Sequence, residues 1–343
     1  MENDILYLSL KNKICEKIFS GVYQEGDKLP TERVLSSNYN MSRVTVRKSL
    51  ALLEKDGIIE RVQGSGTRLK FRETGYKGTL DIIALLAPAQ KPFFSTFIEH
   101  FQRTADKNDA LVLFKQNTQT ERVENSLFKL LQKNIRNVVI WLDDLTLESE
   151  YVRRLRALGL NMVFFDIILP TRYADCVLLD NRDAITNLYN FLKSQNISNI
   201  AYIGWDNLEL SSIRERENIF LELKMPSDLL FHIPWAEKFN LPAQIEKFFH
   251  ASGIDGSFPA GMLSADGELG VALKKALMEH GKNNITIVSI DDPSAARDLA
   301  LSVYAQPFDE LAQEVYQCLL EQNQRADQWK ASVRVVKGNF IKR

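Results

Sequence analysis

From Leu80 onward, short apolar runs alternate with longer stretches whose apolar residues recur at helical spacing, and few architectures accommodate that alternation. The runs LDIIALLA, ALVLFKQ, VVIWLD and MVFFD are separated by STFIEHFQRTADKN, VENSLFKLLQKN and SEYVRRLRALG. Strand, helix, strand, helix is the order of a parallel sheet, because parallel neighbours need a crossover connection. After CVLLDN the alternation resumes with AITNLYNFLKSQN, IAYIGW, IRERENIFLELK, LLFHIPW, PAQIEKFFHASG, AGMLSAD, GELGVALKKALMEHG and ITIVSID. Two such lobes in series predict a clamshell whose cleft lies at the C-terminal ends of the strands.

The N-terminal segment obeys a different pattern. Ile5, Leu6, Leu10, Ile14, Ile18 and Phe19 repeat at the spacing of one helical face, and Gly21 ends the repeat. Pro30 and Thr31 then open a short second helix with Val34 and Leu35 facing inward, and Ser42 caps a third helix carrying Val46, Leu50, Leu53 and Leu52. Two helices joined by a tight turn make a helix-turn-helix. The run IIERVQGSGTRLK reads as a hairpin whose glycine tip, Gln63 to Gly66, allows close backbone approach to a phosphate or a minor groove. Residues 1–72 hold 13 Lys and Arg against 9 Asp and Glu, whereas the rest holds 30 against 35, so the overall charge of −1 hides a cationic head. That asymmetry suits a segment that meets nucleic-acid phosphate.

Several function classes are disfavoured. Cys15, Cys176 and Cys318 are far apart and never in a Cys-x-x-Cys spacing, which argues against a disulfide framework or zinc site and for a reducing cytoplasm. The charged start MENDILYLSLKNK lacks the apolar stretch of a signal peptide, and no later run is long enough to span a bilayer. His100, His232, His250 and His280 sit in unrelated segments, and no phosphate-binding glycine fingerprint occurs, so neither a catalytic site, nor a metal, nor a cofactor is expected.

The stretch KLPTERVLSSNYNMSRVTVRKSLALLEKDGIIERVQGSGTRL resembles the DNA-binding domain of the GntR family, through Leu29 to Arg33, Met41 to Arg47 and Gly64 to Thr67. The resemblance implies duplex contacts at Arg33, Ser42, Arg43, Thr45, Arg47 and the wing residues Gln63, Gly64, Ser65 and Gly66. Arginine at the start of such a helix can bond guanine O6 and N7 together. Glu32, Glu54 and Glu60 read as structural or solvating residues, because phosphate would repel them.

Residues 80–343 resemble the effector domain shared by LacI-type regulators and periplasmic sugar-binding proteins. The landmarks are MVFFD, VLLDNRDAITNLYNFLKSQNISNIAYIG, RENIFLEL, LSADGELGVALKKAL, ITIVSIDD and LSVYAQPFDELAQ. The resemblance carries the ligand-facing positions onto Asp166, Arg216, Asp266, Gln306 and Phe308. Ile219 stands where that family has glycine, and Arg214 competes with Arg216 for the pocket role. Phe93 and Phe94 are candidates for an aromatic wall against a sugar ring. Carboxylates and guanidinium groups bond vicinal hydroxyls while an aromatic plate covers the apolar face. The same residues also admit structural roles: Asp166 and Asp266 as helix caps, Arg216 in an ion pair with Glu215 or Glu217, and Phe93 and Phe94 in a core or dimer contact.

The expected fold is therefore an α+β winged helix-turn-helix head at 1–72, a linker at 73–79, and a two-lobed α/β periplasmic-binding-protein-like effector and dimerisation domain at 80–343. The architecture resembles that of arabinose-responsive repressors. It implies a homodimeric cytoplasmic regulator of carbohydrate-utilisation genes, bound to double-stranded operator DNA and released by a neutral monosaccharide such as arabinose or fucose. The alternatives are a non-sugar or phosphorylated effector, or an activator. The polar stretch Lys70 to Thr79 is expected to carry communication between cleft and head.

Overall fold

The computed structural model describes residues 2–62, 66–71, 75–88, 92–116, 121–142, 147–168, 172–252, 259–325 and 328–343. In the head, α1 (Glu2–Phe19), α2 (Glu32–Tyr39) and α3 (Arg43–Lys55) precede a hairpin of β1 (Ile59–Val62) and β2 (Gly66–Leu69). Local chemistry sets these boundaries. Thr31 and Ser42 have extended backbones, and their hydroxyls accept hydrogen bonds from the amides of Val34 and Thr45, satisfying donors that a helix start leaves orphaned. Asn40 closes α2 in a left-handed conformation and so makes the turn into α3. The antiparallel pairing of β1 with β2 runs from Ile59 opposite Leu69 to Val62 opposite Gly66, as the alternating pattern predicts.

Leu10, Ile14, Ile18, Leu35, Val46, Leu50, Leu53, Ile59 and Leu69 form the buried centre of the head. Val34 departs from the expectation and is exposed, because the short α2 directs only Leu35 inward. Leu6 is likewise exposed, Leu10 is fully buried, and the side chain of Ile5 lies outside the described residues.

The first lobe comprises β3 (Ile82–Ala87), α4 (Pro92–Asp106), β4 (Leu111–Gln116), α5 (Val123–Gln132), β5 (Asn137–Ile140), α6 (Ser149–Ala157), β6 (Asn161–Phe165) and β7 (Asp175–Leu179). The second comprises α7 (Asn181–Ser194), β8 (Ile200–Trp205), α8 (Ser211–Leu223), β9 (Leu229–Ile233), a 3-10 turn, α9 (Leu241–Ser252), β10 (Gly261–Ser264), α10 (Gly267–Glu279), β11 (Thr286–Ile290), α11 (Ser294–Asp298) and β12 (Ser302–Ala305). The chain then returns through α12 (Phe308–Gln324) and ends in β13 (Val333–Val336) and β14 (Asn339–Ile341).

Strand order is β13-β7-β6-β5-β3-β4 in one sheet and β14-β12-β11-β10-β8-β9 in the other. All pairings in these two sheets are parallel except that of β12 with β14. In each lobe the first strand lies between its two successors in the order, which creates a switch point beside β3 and β5, and beside β8 and β10. In open α/β sheets such a switch point is where ligands bind, because the connections leave in opposite directions. The terminal strands β13 and β14 are absent from the sequence reading. Placed one in each sheet, they make a third crossing between lobes after those at Asp180 and Gln306.

Candidate DNA-reading face and ligand cleft

Helix α3 divides cleanly by face. Thr45, Val46, Ser49, Leu50 and Leu53 turn inward, while Ser42, Arg43, Val44, Arg47 and Lys48 are exposed. Arg33 is exposed on α2. Thr45, expected as a groove contact, is only 7% exposed, and its hydroxyl pairs with that of Ser42 at 2.8 Å. Its helical position points it into the head, so its chemistry is that of the cap. Arg47 donates from Nε and Nη2 to the two oxygens of Glu32 at 3.3 and 3.1 Å, and these bonds hold the Glu32 carboxyl below its ordinary range. Glu54 and Glu60 pair with Arg61 and Lys70. Gly66 has a φ of 93°, a conformation that favours glycine, while Gln63, Gly64 and Ser65 lie outside the described residues.

The head is not suspended on its connection alone. Phe19, at the end of α1, stacks on Phe128 of α5 with centroids 4.4 Å apart and an interplanar angle of 8°. Tyr151 of α6 flanks the stack at 5.4 Å. Arg154 donates to the Phe19 carbonyl at 3.2 Å, and Arg153 reaches Glu25 at 3.1 Å. A Cβ on Gly21, where φ is 78°, would meet the Arg154 guanidinium at 2.8 Å. The connecting stretch is also docked: Arg153 lies over the Phe71 ring, and Asn161 Nδ2 donates to the Tyr76 carbonyl at 2.9 Å.

At the C-terminal ends of the body strands, Asp166 follows β6 and Asp291 follows β11, both with left-handed backbones at φ 58° and 70°. Non-glycine residues adopt that region sparingly, and such strain concentrates at functional sites. Arg216 of α8 is buried. Its Nε donates to Asn181 Oδ1 at 2.8 Å and its Nη1 to the Ala265 carbonyl at 2.9 Å. Burial alone would lower the Arg216 pKa, but Asp166, Asp291, Tyr202 and Asp266 outweigh it and leave the group raised. Asp291 shows the counterpart: burial pushes its carboxyl up to about 7, with Asp266 and Asp166 adding to the rise while Arg216 and the amide of Gln306 oppose it. Gln306 Nε2 donates to Asp291 Oδ1 at 2.7 Å.

The Asp166 carboxylate acts electrostatically on Arg216 of the other lobe, and Ile168 N donates across the same divide to Ser211 Oγ at 2.9 Å. Asp266 caps α10 by accepting from Leu269 N at 2.9 Å, and its other oxygen accepts from the Trp205 indole. Arg216 forms neither ion pair open to it in the sequence: Glu215 accepts from Asn181 at 2.7 Å and Glu217 meets His232 at 2.7 Å. Arg214 does not join the cluster. It is exposed and donates to the Leu208 carbonyl of its own approach loop, because two positions along a helix turn it to another face.

Phe94 is buried edge-on against Trp141 at 4.5 Å, and Phe97, Phe165 and Phe308 complete an aromatic group at this end of the first lobe. The side chain of Phe93 lies outside the described residues. The sequence reading misses Asp291, Asn181, Trp141 and Trp205. Asp291 directly follows an apolar run, as Asp166 does, in SIDD at Ser289 to Asp292, and VVIWLD and IAYIGW carry the tryptophans.

Residues 6–69 match the model of the bacterial regulatory proteins of the gntR family. The arabinose metabolism transcriptional repressor of Geobacillus stearothermophilus is 24% identical over 337 residues, covering 92% of this chain and 90% of that protein. The body superposes on the lac repressor dimer bound to operator and an anti-inducer with TM-score 0.64 at 18% identity, over 77% of this chain and 93% of that one. A LacI-family regulator from Enterococcus faecium with bound ribose gives TM-score 0.63 at 19% identity, over 76% and 97% of the two chains. No helix among the described residues is long and apolar enough to cross a membrane. The chain therefore joins a helix-turn-helix head of the gntR family of bacterial regulatory proteins to a two-lobed body of the LacI and periplasmic-binding-protein fold.

Proposed function

We propose that this protein is a transcription repressor of carbohydrate-utilisation genes that binds duplex operator DNA through the head and leaves it when a neutral monosaccharide, such as arabinose or fucose, enters the cleft. The observation that carries the ligand half is the setting of Arg216, a buried guanidinium acted on by Asp166, Asp291 and Asp266. Such a set offers acceptors and donors to vicinal hydroxyls and repels an anionic ligand such as a sugar phosphate. The similarity to an arabinose metabolism repressor along nearly the whole chain supports the same reading.

The residues assigned to DNA are Arg33, Ser42, Arg43 and Arg47 with the wing, and those assigned to the ligand are Asp166, Arg216, Asp291, Gln306 and the aromatic group. A homodimer fits two-fold operators. The edge strand β4, with Leu111 69% exposed beside exposed Leu113 and Phe114, supports such pairing. Ligand and head are linked in this reading through α12. It begins beside Gln306 and ends at Gln322 and Asn323, whose amides bond Asp175 and Asn137 at 2.7 Å each, next to the Arg156 and Asn161 pair that holds the linker. Sugar binding that tilts one lobe on the other would move that end of α12 and, with it, the head's seat.

The test is a thermal-shift screen of neutral monosaccharides and their phosphates against the full chain, followed by DNA binding with the strongest hit. Stabilisation by a neutral sugar, lost in Arg216→Met, is expected. Stabilisation by phosphorylated sugars alone would overturn the assignment of a neutral ligand.

A further inference from the structure

Val44 is the most exposed large apolar side chain among the described residues, at 75%. It stands in the first turn of α3, between the exposed Arg43 and the inward Thr45, on the helix whose Val46, Leu50 and Leu53 are almost fully buried and whose Leu52 is half-buried. It contributes nothing to the core, and a β-branched residue is a mediocre helix former. By helical spacing it shares its outward face with Arg47 and Lys48. An isolated exposed valine elsewhere on a surface would call for no explanation. This one occupies the turn that meets base edges when a recognition helix enters a major groove. There the apolar feature that a short aliphatic side chain can recognise is the C5-methyl group of thymine.

We propose that Val44 is a specificity-determining residue that packs on a thymine methyl group and selects thymine at one position of each operator half-site. The inference rests on the DNA-binding reading and adds a chemical selectivity that the arginines lack, since Arg43 and Arg47 suit guanine edges or phosphates. With Arg47 already engaged by Glu32 in the DNA-free chain, Val44 and Arg43 are the groups that the first turn presents to a base without first breaking a bidentate ion pair.

The test uses the full chain. Wild-type protein selects binding sites from random-sequence duplexes, and each thymine of the selected half-site is then replaced in turn by uracil, which lacks only the methyl group. One position should lose about 4-fold in affinity, the worth of one buried methyl. Val44→Ser should bind the thymine and uracil forms equally, whereas Val44→Thr, which keeps a γ-methyl, should retain discrimination. Equal affinity of wild type for every uracil-substituted site would overturn the proposal, as would an undiminished thymine preference in Val44→Ser. If wild type selects no duplex at all, the DNA-binding reading itself fails and takes this inference with it. That outcome is distinct from selection without methyl sensitivity.

Discussion

The stack between Phe19 and Phe128 makes the head part of the first lobe's core, and a double-mutant cycle measures whether that holds in solution. Both rings are nearly buried, so truncating either to alanine should cost about 3–5 kcal/mol if its site cannot collapse. Most of that is each ring's own loss of burial. The part belonging to the pair is the specific aromatic contact, about 0.5–1.5 kcal/mol for offset rings at this separation. Once either ring is absent the contact is gone, so Phe19→Ala with Phe128→Ala should cost less than the sum of the single variants by that amount. Urea denaturation of wild type, both single variants and the double variant gives the coupling directly. Additivity within about 0.3 kcal/mol would mean that the rings do not touch in solution. Gly21→Ala offers a check without removing a ring, because its Cβ would collide with the Arg154 guanidinium and strain a left-handed backbone. It should loosen the head and raise protease sensitivity in the 70–79 stretch.

Arg43→Ala should weaken operator binding about 5- to 150-fold if Arg43 reads a base, and gel shifts at several salt concentrations separate this from a uniform loss with a flatter salt slope. Asp266→Ala should lower stability by about 0.5–2 kcal/mol through loss of the α10 cap, whereas Asp266→Asn should keep the cap, and thermal melts of the two variants compare them. Asp291 binds its proton more tightly folded than unfolded, since burial raises its pKa from 3.8 to about 7. Its contribution to stability is therefore present in full below pH 4 and lost as pH rises toward 7. The melting temperature of wild type relative to Asp291→Asn should fall over that window, and parallel pH curves for the two proteins would refute the burial argument.

The fold was legible where local pattern and tertiary environment coincide. Strand runs such as VVIWLD and MVFFD are buried on both faces, so their apolar continuity survives in sequence, and Ser42 and Thr31 carry their capping chemistry with them. The terminal strands were not legible, because VRVV and NFI are short edge strands with no fully buried residue and owe their place to strands far away in sequence. The site divided along similar lines. Arg216 could be named from its motif, but its separation from Arg214 required the helix face, and the inward turn of Thr45 required the packing of α3. Asp291 was missed although its local signal matched that of Asp166. The docking of Phe19 on Phe128 joins positions more than a hundred residues apart and has no local signature at all.

The central claim is that cleft and head oppose each other, and reciprocal titration tests it most directly. Operator affinity is measured with and without saturating monosaccharide, and monosaccharide affinity with and without saturating operator. Linkage requires the two ratios to be equal, and a switch of this kind predicts a loss of about 5- to 150-fold in each. Tighter operator binding in the presence of the sugar, or operator affinity unchanged by any neutral sugar that stabilises the protein, would contradict the account.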